Sequence, residues 1–352
     1  MSISKIDPAG LDIGQIGGRR NIAYNGAMNI WQRGTSADSA TSGDYMCDRW
    51  DVVYAGLDGN VDWDQETSST PEGFGYALKV STDASEASLD AADLLRVRQK
   101  FEGQDLQQLQ KGTSGAESLT LSFWVKSSVA SIYTISLYDQ DNNRSISKSY
   151  TISSADTWEF KTVTFEGDTT GALDNDNQSS LRLEFFIDAG SNYTSGTFST
   201  AWQTLDNTER VYDTTGWLES TTPEFYITGV QLEVGSVATP FEHRSYGEEL
   251  QLCKRYYETL GRAGDWSGDR GYNISTRIVN LPYWSVEKRA DPSVTVYSGG
   301  GTEDAMSGYS SGTDNAVTAI SDPSRYSVGR FITLTNSITQ PHIGYFVADS
   351  EL

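Results

Sequence analysis

Apolar and polar side chains alternate with a period of two along most of the chain. In 118–128, Leu119, Leu121, Phe123 and Val125 face one way, and Thr120, Ser122, Trp124 and Lys126 the other. The same rhythm runs through 76–82, 94–103, 131–143, 158–167, 181–190 and 224–235. It also runs through 45–56, where Trp50, Val52 and Tyr54 alternate with Asp51 and Val53. Alternation of this kind marks half-buried strands. Gly, Asn, Asp and Ser gather between the strands, as turns require. Helical spacing is nearly absent, so the pattern predicts an all-β fold, an antiparallel jelly-roll sandwich rather than a parallel sheet crossed by helices. One helical turn is expected at 102–111, where Leu106 and Leu109 stand three apart.

The rhythm stops at Gly235, after Val230, Leu232 and Val234. Beyond it, Leu250, Cys253 and Tyr257 share one helical face and Leu252 and Tyr256 a second, which predicts a short linking helix over 245–258. Strand rhythm resumes from 259 to 352, predicting a smaller C-terminal β-sandwich with a Gly/Ser-rich loop at 298–314. At the other end, residues 1–22 are Gly-rich and poor in large apolar groups, so they cannot bury a core alone. The expected organisation is an arm at 1–44, a jelly roll at 45–244, the helix at 245–258 and the C-terminal domain at 259–352.

Length and charge narrow the functions. A chain of 352 residues has room for two cores. Its net charge is -22, from 48 acidic against 26 basic residues, which argues against nucleic-acid binding, since that needs a basic footprint. No run of about 18 apolar residues exists to insert in a membrane. The N-terminus lacks the apolar core of a signal peptide, so synthesis in a cytoplasm without a secretory signal is expected. Cys47 and Cys253 are too few for a disulfide framework or a structural zinc site, and are expected free and buried.

Catalytic constellations are scarce. The histidines are His243 and His342, and no phosphate loop, dinucleotide fingerprint, zincin motif or nucleophile elbow is present. No enzyme activity is expected. Asp139, Asp141 and Asn143 at alternate positions offer hard oxygen ligands for a calcium ion, with Asp174 and Asp176 as a second cluster; turn residues look the same. Of the 19 Tyr and 9 Trp, those on loops are candidates for stacking on sugar rings: Trp266, Tyr272, Tyr283, Trp284, Tyr297 and Tyr309. Trp124 joins them because its strand points it away from the face that Phe123 buries.

Three stretches together carry a resemblance: "NGAMNIWQRGTS" (25–36), "YMCDRW" (45–50) and "VQLEVGSVATPFEHRSYGEELQLCKRYYE" (230–258). They resemble a recurring module of bacteriophage tail fibres and related virion proteins, and the final "YFVADSEL" is similar to the ending of many such fibres. The resemblance implies a carbohydrate-binding-module-like jelly roll, a helix leading to a distal tip, a homotrimer and a non-catalytic role in host attachment. It implies as partners a host surface polysaccharide and, through the N-terminal arm, other virion proteins. A head fibre, a decoration or adaptor protein without ligand, and a polysaccharide depolymerase are the alternatives. The β-helix repeat usual in a depolymerase is not visible. In a fibre anchored by its N-terminus the tip meets the host first, so receptor contacts are expected in 259–352, with the jelly roll as the competing site.

Overall fold

The computed structural model describes residues 19–261, 272–274, 277–279, 281–298, 300–308, 314–329, 331–335, 341–342 and 345–352. The chain divides into two units, on either side of the Ser245–Tyr246 bond. The first carries β1 (Ser36–Ala40), β2 (Asp51–Ala55), β3 (Val61–Glu66), β4 (Ala77–Thr82), β5 (Leu94–Glu102), β6 (Leu119–Ser127), β7 (Ile132–Asp139), β8 (Arg144–Thr151), β9 (Glu159–Phe165), β10 (Ser179–Ala189), a one-turn helix α1 (Ser191–Thr194), β11 (Gln203–Thr204) and β12 (Glu224–Val234). They form two six-stranded sheets. Sheet I has the order β1-β3-β4-β12-β6-β9, and sheet II the order β11-β8-β7-β10-β5-β2. The pairings within both sheets are antiparallel. The all-β sandwich that period-two patterning predicts is therefore present.

Aromatic rings from both sheets fill the space between them. Phe123 of β6 meets Phe185 of β10 and Tyr150 of β8 edge-on, at 5.2 and 5.1 Å between centroids. Trp50 packs on Phe185, and Tyr133 of β7 on Phe225 of β12. Each ring buried this way contributes about 1.5–3 kcal/mol. The alternation in 118–128 holds: Leu119, Leu121, Phe123 and Val125 lie in the core.

The arm expected at 1–44 is corrected. From residue 19 onward the chain is built into the sandwich. The Ile22 amide donates to the Leu232 carbonyl, Tyr24 and Gln99 exchange two hydrogen bonds, and Met28 and Ile30 are fully buried. Residues 36–40 form an edge strand of sheet I. The segment was opaque to a period-two reading because its backbone is irregular, with Asn25 and Met28 at positive φ. Side chains satisfy that backbone instead. The Asn25 amide group donates to the carbonyls of Ile30 and Asp48, and its oxygen accepts from the Asn29 and Ile30 amides. The Asp48 carboxylate accepts from the Gln32 backbone and side chain. Gly26 passes so close to β12 that a Cβ would lie 2.0 Å from the Val230 carbonyl oxygen. The stretch after β12 closes the knot: Glu242 accepts from the backbone amides of Arg20 and Asn21, and Arg244 donates to the carbonyls of Asn21 and Ala23. This clamp lies where the three motifs of the resemblance meet: the Asn25 side chain donates to the Asp48 carbonyl, and the Val230 amide to the Gly26 carbonyl.

Two further expectations shift. Residues 102–111 form two 3₁₀ turns, Gly103–Asp105 and Gln107–Leu109, which still bury Leu106 and Leu109. The linking helix is shorter than 245–258. It is α2 (Tyr246–Lys254), and Tyr257 already begins β13 (Tyr257–Gly261), drawn into a ladder opposite Asp349. Tyr256 is buried in the turn between them, so the first apparent helical face runs from the helix into a strand at Tyr257 and the second from the helix into a turn at Tyr256. Cys253 on α2 and Cys47 in the sandwich form no disulfide and are both buried.

The second unit continues with β14 (Tyr272–Ile274), β15 (Arg277–Val279), β16 (Ser293–Tyr297), β17 (Ala305–Gly308), β18 (Asp314–Ser321), β19 (Phe331–Leu334), β20 (Pro341–His342) and β21 (Tyr345–Asp349). They make a three-stranded sheet, β13-β21-β16, and a six-stranded one, β14-β15-β19-β18-β17-β20. Trp284, Val296, Met306, Val328, Ile332 and Phe346 lie in its core. A fully buried ion pair, Lys288 Nζ to Glu258 Oε2 at 2.6 Å, ties β13 to the 285–289 segment.

Candidate functional site

The outer face of sheet I carries an unusual run of rings. β6 turns Phe123 inward, so Trp124 points outward beside its register partner Phe160 on β9, at 5.4 Å between centroids. Phe160 is 50% exposed. On the other side of Trp124, β12 bulges between Thr228 and Gln231. Gly229 in that bulge takes φ +63°, and a Cβ there would lie 2.7 Å from Phe74 Cζ and 3.1 Å from Trp124 Cδ1. The bare glycine lets Phe74 come down next to Trp124. Phe74 in turn meets Phe241 at 5.0 Å and His243 at 5.4 Å. The strip therefore runs Phe160, Trp124, Phe74, then Phe241 and His243. His243 is an exposed ring in that strip rather than a linker residue bonded to backbone.

Polar groups border it. Lys126, the next outward residue of β6, holds its ammonium 3.9 Å from the Tyr226 ring centroid and 5.5 Å from that of Trp158. The Trp158 indole N–H donates to the Ser69 carbonyl. Tyr226 donates to Glu224, which also pairs with Lys79 at 2.8 Å. Partial burial raises the Glu224 carboxyl, but the hydrogen bonds from Lys79 and Tyr226 outweigh it and hold the group below the usual range. Half-exposed rings beside fixed donors and acceptors can stack against the apolar face of a sugar and bond its hydroxyls.

The residues expected on the distal domain fare differently. Trp284 is 6% exposed and its indole N–H donates to the Ser324 carbonyl, so it is a core anchor and not a surface contact. Tyr297 stacks on its strand partner Tyr345, with centroids 4.4 Å apart. Tyr283 is 77% exposed. Tyr326, which patterning did not single out, is also exposed, with its hydroxyl on Glu287. Tyr272 lies in β14, and its side chain, like Trp266 and Tyr309, falls outside the described residues, as does the side chain of His342.

The calcium expectation meets a different occupant. Asp139 is buried and faces the Lys111 ammonium at 2.5 Å. Lys111 also reaches Asp168 at 3.0 Å and the carbonyls of Thr170 and Gly171 at 3.0 and 2.9 Å, under the Trp202 ring. A lysine thus stands where a cation was expected. Asp141 instead accepts from the Asp174 amide, and the Asn143 oxygen accepts from Tyr138. Asp139, Asp141 and Asn143 do not converge, and among the described residues no group of three His, Cys, Asp or Glu could hold a metal. Strand spacing put the two aspartates on one turn, but only the fold shows a lysine reaching in from residue 111.

No protein-family model matches the chain, and no curated protein does. Solved structures do. A tailspike protein 4 enzymatically active domain from bacteriophage CBA120 aligns at 13% identity and TM-score 0.30, over 56% of this chain and 21% of its own. A family 4 carbohydrate-binding module aligns at 12% identity and TM-score 0.31, over 60% of this chain and 97% of its own. The family 11 module of a cellulosomal cellulase from Clostridium thermocellum aligns at 14% and 0.29, over 58% and 100%. Likenesses of this size carry neither ligand nor reaction to this chain. The chain spans about a fifth of the tailspike domain.

Among the described residues no helix is long and apolar enough to cross a membrane.

Proposed function

We propose that this chain is a non-catalytic structural protein of a phage fibre, a homotrimer that binds a glycan on the host surface through the outer face of sheet I. The observation that carries the glycan reading is the strip Phe160–Trp124–Phe74, held open by the Gly229 bulge and bordered by Lys126 and Glu224. The virion reading is supported by the three motifs of the resemblance, which in this fold come together beside one clamp. The preference for the distal domain gives way, because Trp284 is used up in its core while the sandwich offers a contiguous surface.

Titration of the full chain against a panel of bacterial surface polysaccharides tests this. Binding is expected, with the polysaccharide keeping its length, and Trp124→Ala with Phe160→Ala should weaken it at least tenfold. Shortening of the chains would turn the reading to a depolymerase, and unchanged binding by the double variant would move the site elsewhere. Light scattering should give three times the 38.6 kDa chain mass; a monomer would end the trimer reading.

A further inference from the structure

The outer face of sheet II is built from cations, in a chain with a large acidic excess. Arg96, Arg98 and Lys100 alternate outward along β5, Arg182 stands on β10, and Arg210 reaches in from the excursion after β11. Two carboxylates face them, Asp51 on the edge strand β2 and Glu184 on β10. Asp51 takes a bidentate contact from Arg98 and a 3.4 Å contact from Lys100. Glu184 lies between Arg96, at 3.3 Å, and Arg210. A third acid, Glu102, is at the end of β5 and accepts from Gln104.

Arg182 is left over. Its terminal nitrogen donates to Gln140, it lies over the Tyr138 ring, and among the described residues no carboxylate comes within ion-pair reach. Its Nε is buried without a hydrogen-bond partner, as is that of Arg96. Lys100 and Arg182 are direct cross-strand partners, and like charges placed so destabilise a sheet. Solvent relieves this only in part, since the Lys100 side chain is 12% exposed and Arg182 is half-buried. Burial, together with the neighbouring Arg98, pulls Arg96 down to about 10 and Arg182 also downward. An anion seated between Lys100 and Arg182 would offset both charges. A planar carboxylate suits the guanidinium fork.

We infer that this face binds the carboxylate of an acidic saccharide, a hexuronate unit, between Arg182 and Lys100. The inference adds a second, charge-reading site to the saccharide-binding role proposed above, and rests on that role for the choice of a sugar acid over other anions. The aromatic strip would then hold sugar rings on one face of the sandwich while this face selects for acidic chains.

Calorimetric titration of the full chain with glucuronate, galacturonate and mannuronate oligosaccharides, and with their carboxyl-reduced neutral counterparts, is the test. At least one acid oligosaccharide should bind tenfold or more tighter than its reduced form, with affinity falling as salt rises. Arg182→Met should lose that preference while its melting temperature stays level or rises, because a frustrated cation has gone. Arg182→Lys should keep part of it, and Trp124→Ala should keep all of it. Equal binding of acid and reduced forms, binding of none of the three acids, or an unchanged Arg182→Met would overturn the inference. Inorganic phosphate binding as tightly as the sugar acid would overturn the assignment to a saccharide. If Trp124→Ala abolishes binding and Arg182→Met does not, this inference falls and the sheet I reading stands.

Discussion

The two outer faces of the sandwich are built on the same antiparallel scaffold and present opposite surfaces. Sheet I shows rings with a few paired charges at their border: Lys79 with Glu224, and Lys126 over Tyr226. Sheet II shows five cations against two carboxylates, Asp51 and Glu184. The difference lies in what each outward position of a strand meets across the ladder. On β6 an outward Trp124 meets Phe160, whereas on β5 an outward Lys100 meets Arg182. A net charge of -22 describes neither face, because total charge is not a map.

The largest effect should come from the carboxylate that holds sheet II together. Glu184→Gln leaves Arg96 and Arg210 buried without their shared partner, and urea unfolding should show a loss of about 3–5 kcal/mol. A loss below about 1 kcal/mol would mean these cations need no internal anion. Next comes Gly229→Ala. The residue would have to adopt φ +63° and push Phe74 off Trp124, so stability should fall by about 1–3 kcal/mol and glycan affinity with it, although no ring is deleted. If affinity survives, Phe74 is not part of the surface.

Acid sharpens the contrast on a smaller scale. Glu224 on sheet I is held below its ordinary value. Its contribution is therefore complete above the unfolded value near 4.5 and disappears as pH falls through the lower folded value. Glu224→Gln should cost about 1 kcal/mol or less at pH 7, since the side chain is well exposed, and progressively less as pH falls below 4.5 through the lowered folded value. A loss that ignores pH would remove the Lys79 pairing from the account. Smallest of all is Phe160→Ser. At half exposure it should move stability within about 0.5 kcal/mol while weakening glycan binding, and a large melting shift would make Phe160 a packing residue.

Much of this fold could be read from alternation, because a strand with one buried face writes its period into its residues. Leu119 to Val125 is the plain case, and Trp124 was placed on the outside by the same logic. Residues 19–33 escaped because their burial is arranged by side chain–backbone bonds around Asn25 and Asp48, which have no period. The 245–258 segment misled for the opposite reason: Tyr256 and Tyr257 fit a helical spacing by coincidence, but Tyr256 lies in a turn and Tyr257 follows ladder pairing. The Asp139 turn looked like a cation site, and in charge terms it is one, but its cation comes from Lys111. The cation-rich face was invisible, because "LLRVRQK" shows only outward charges and the cross-strand partner Arg182 lies far along the chain.

The clamp has a mechanical consequence. The segment arriving at Arg20 and the segment departing at Arg244 are bonded to each other directly, through Glu242 and through the Asn21 and Ala23 carbonyls. Tension applied between those two points passes through that short bridge and leaves the twelve strands out of the line of force. The sandwich hangs beside the load like a bead on a side knot, so a pull should first break a few hydrogen bonds and only then strip a sheet.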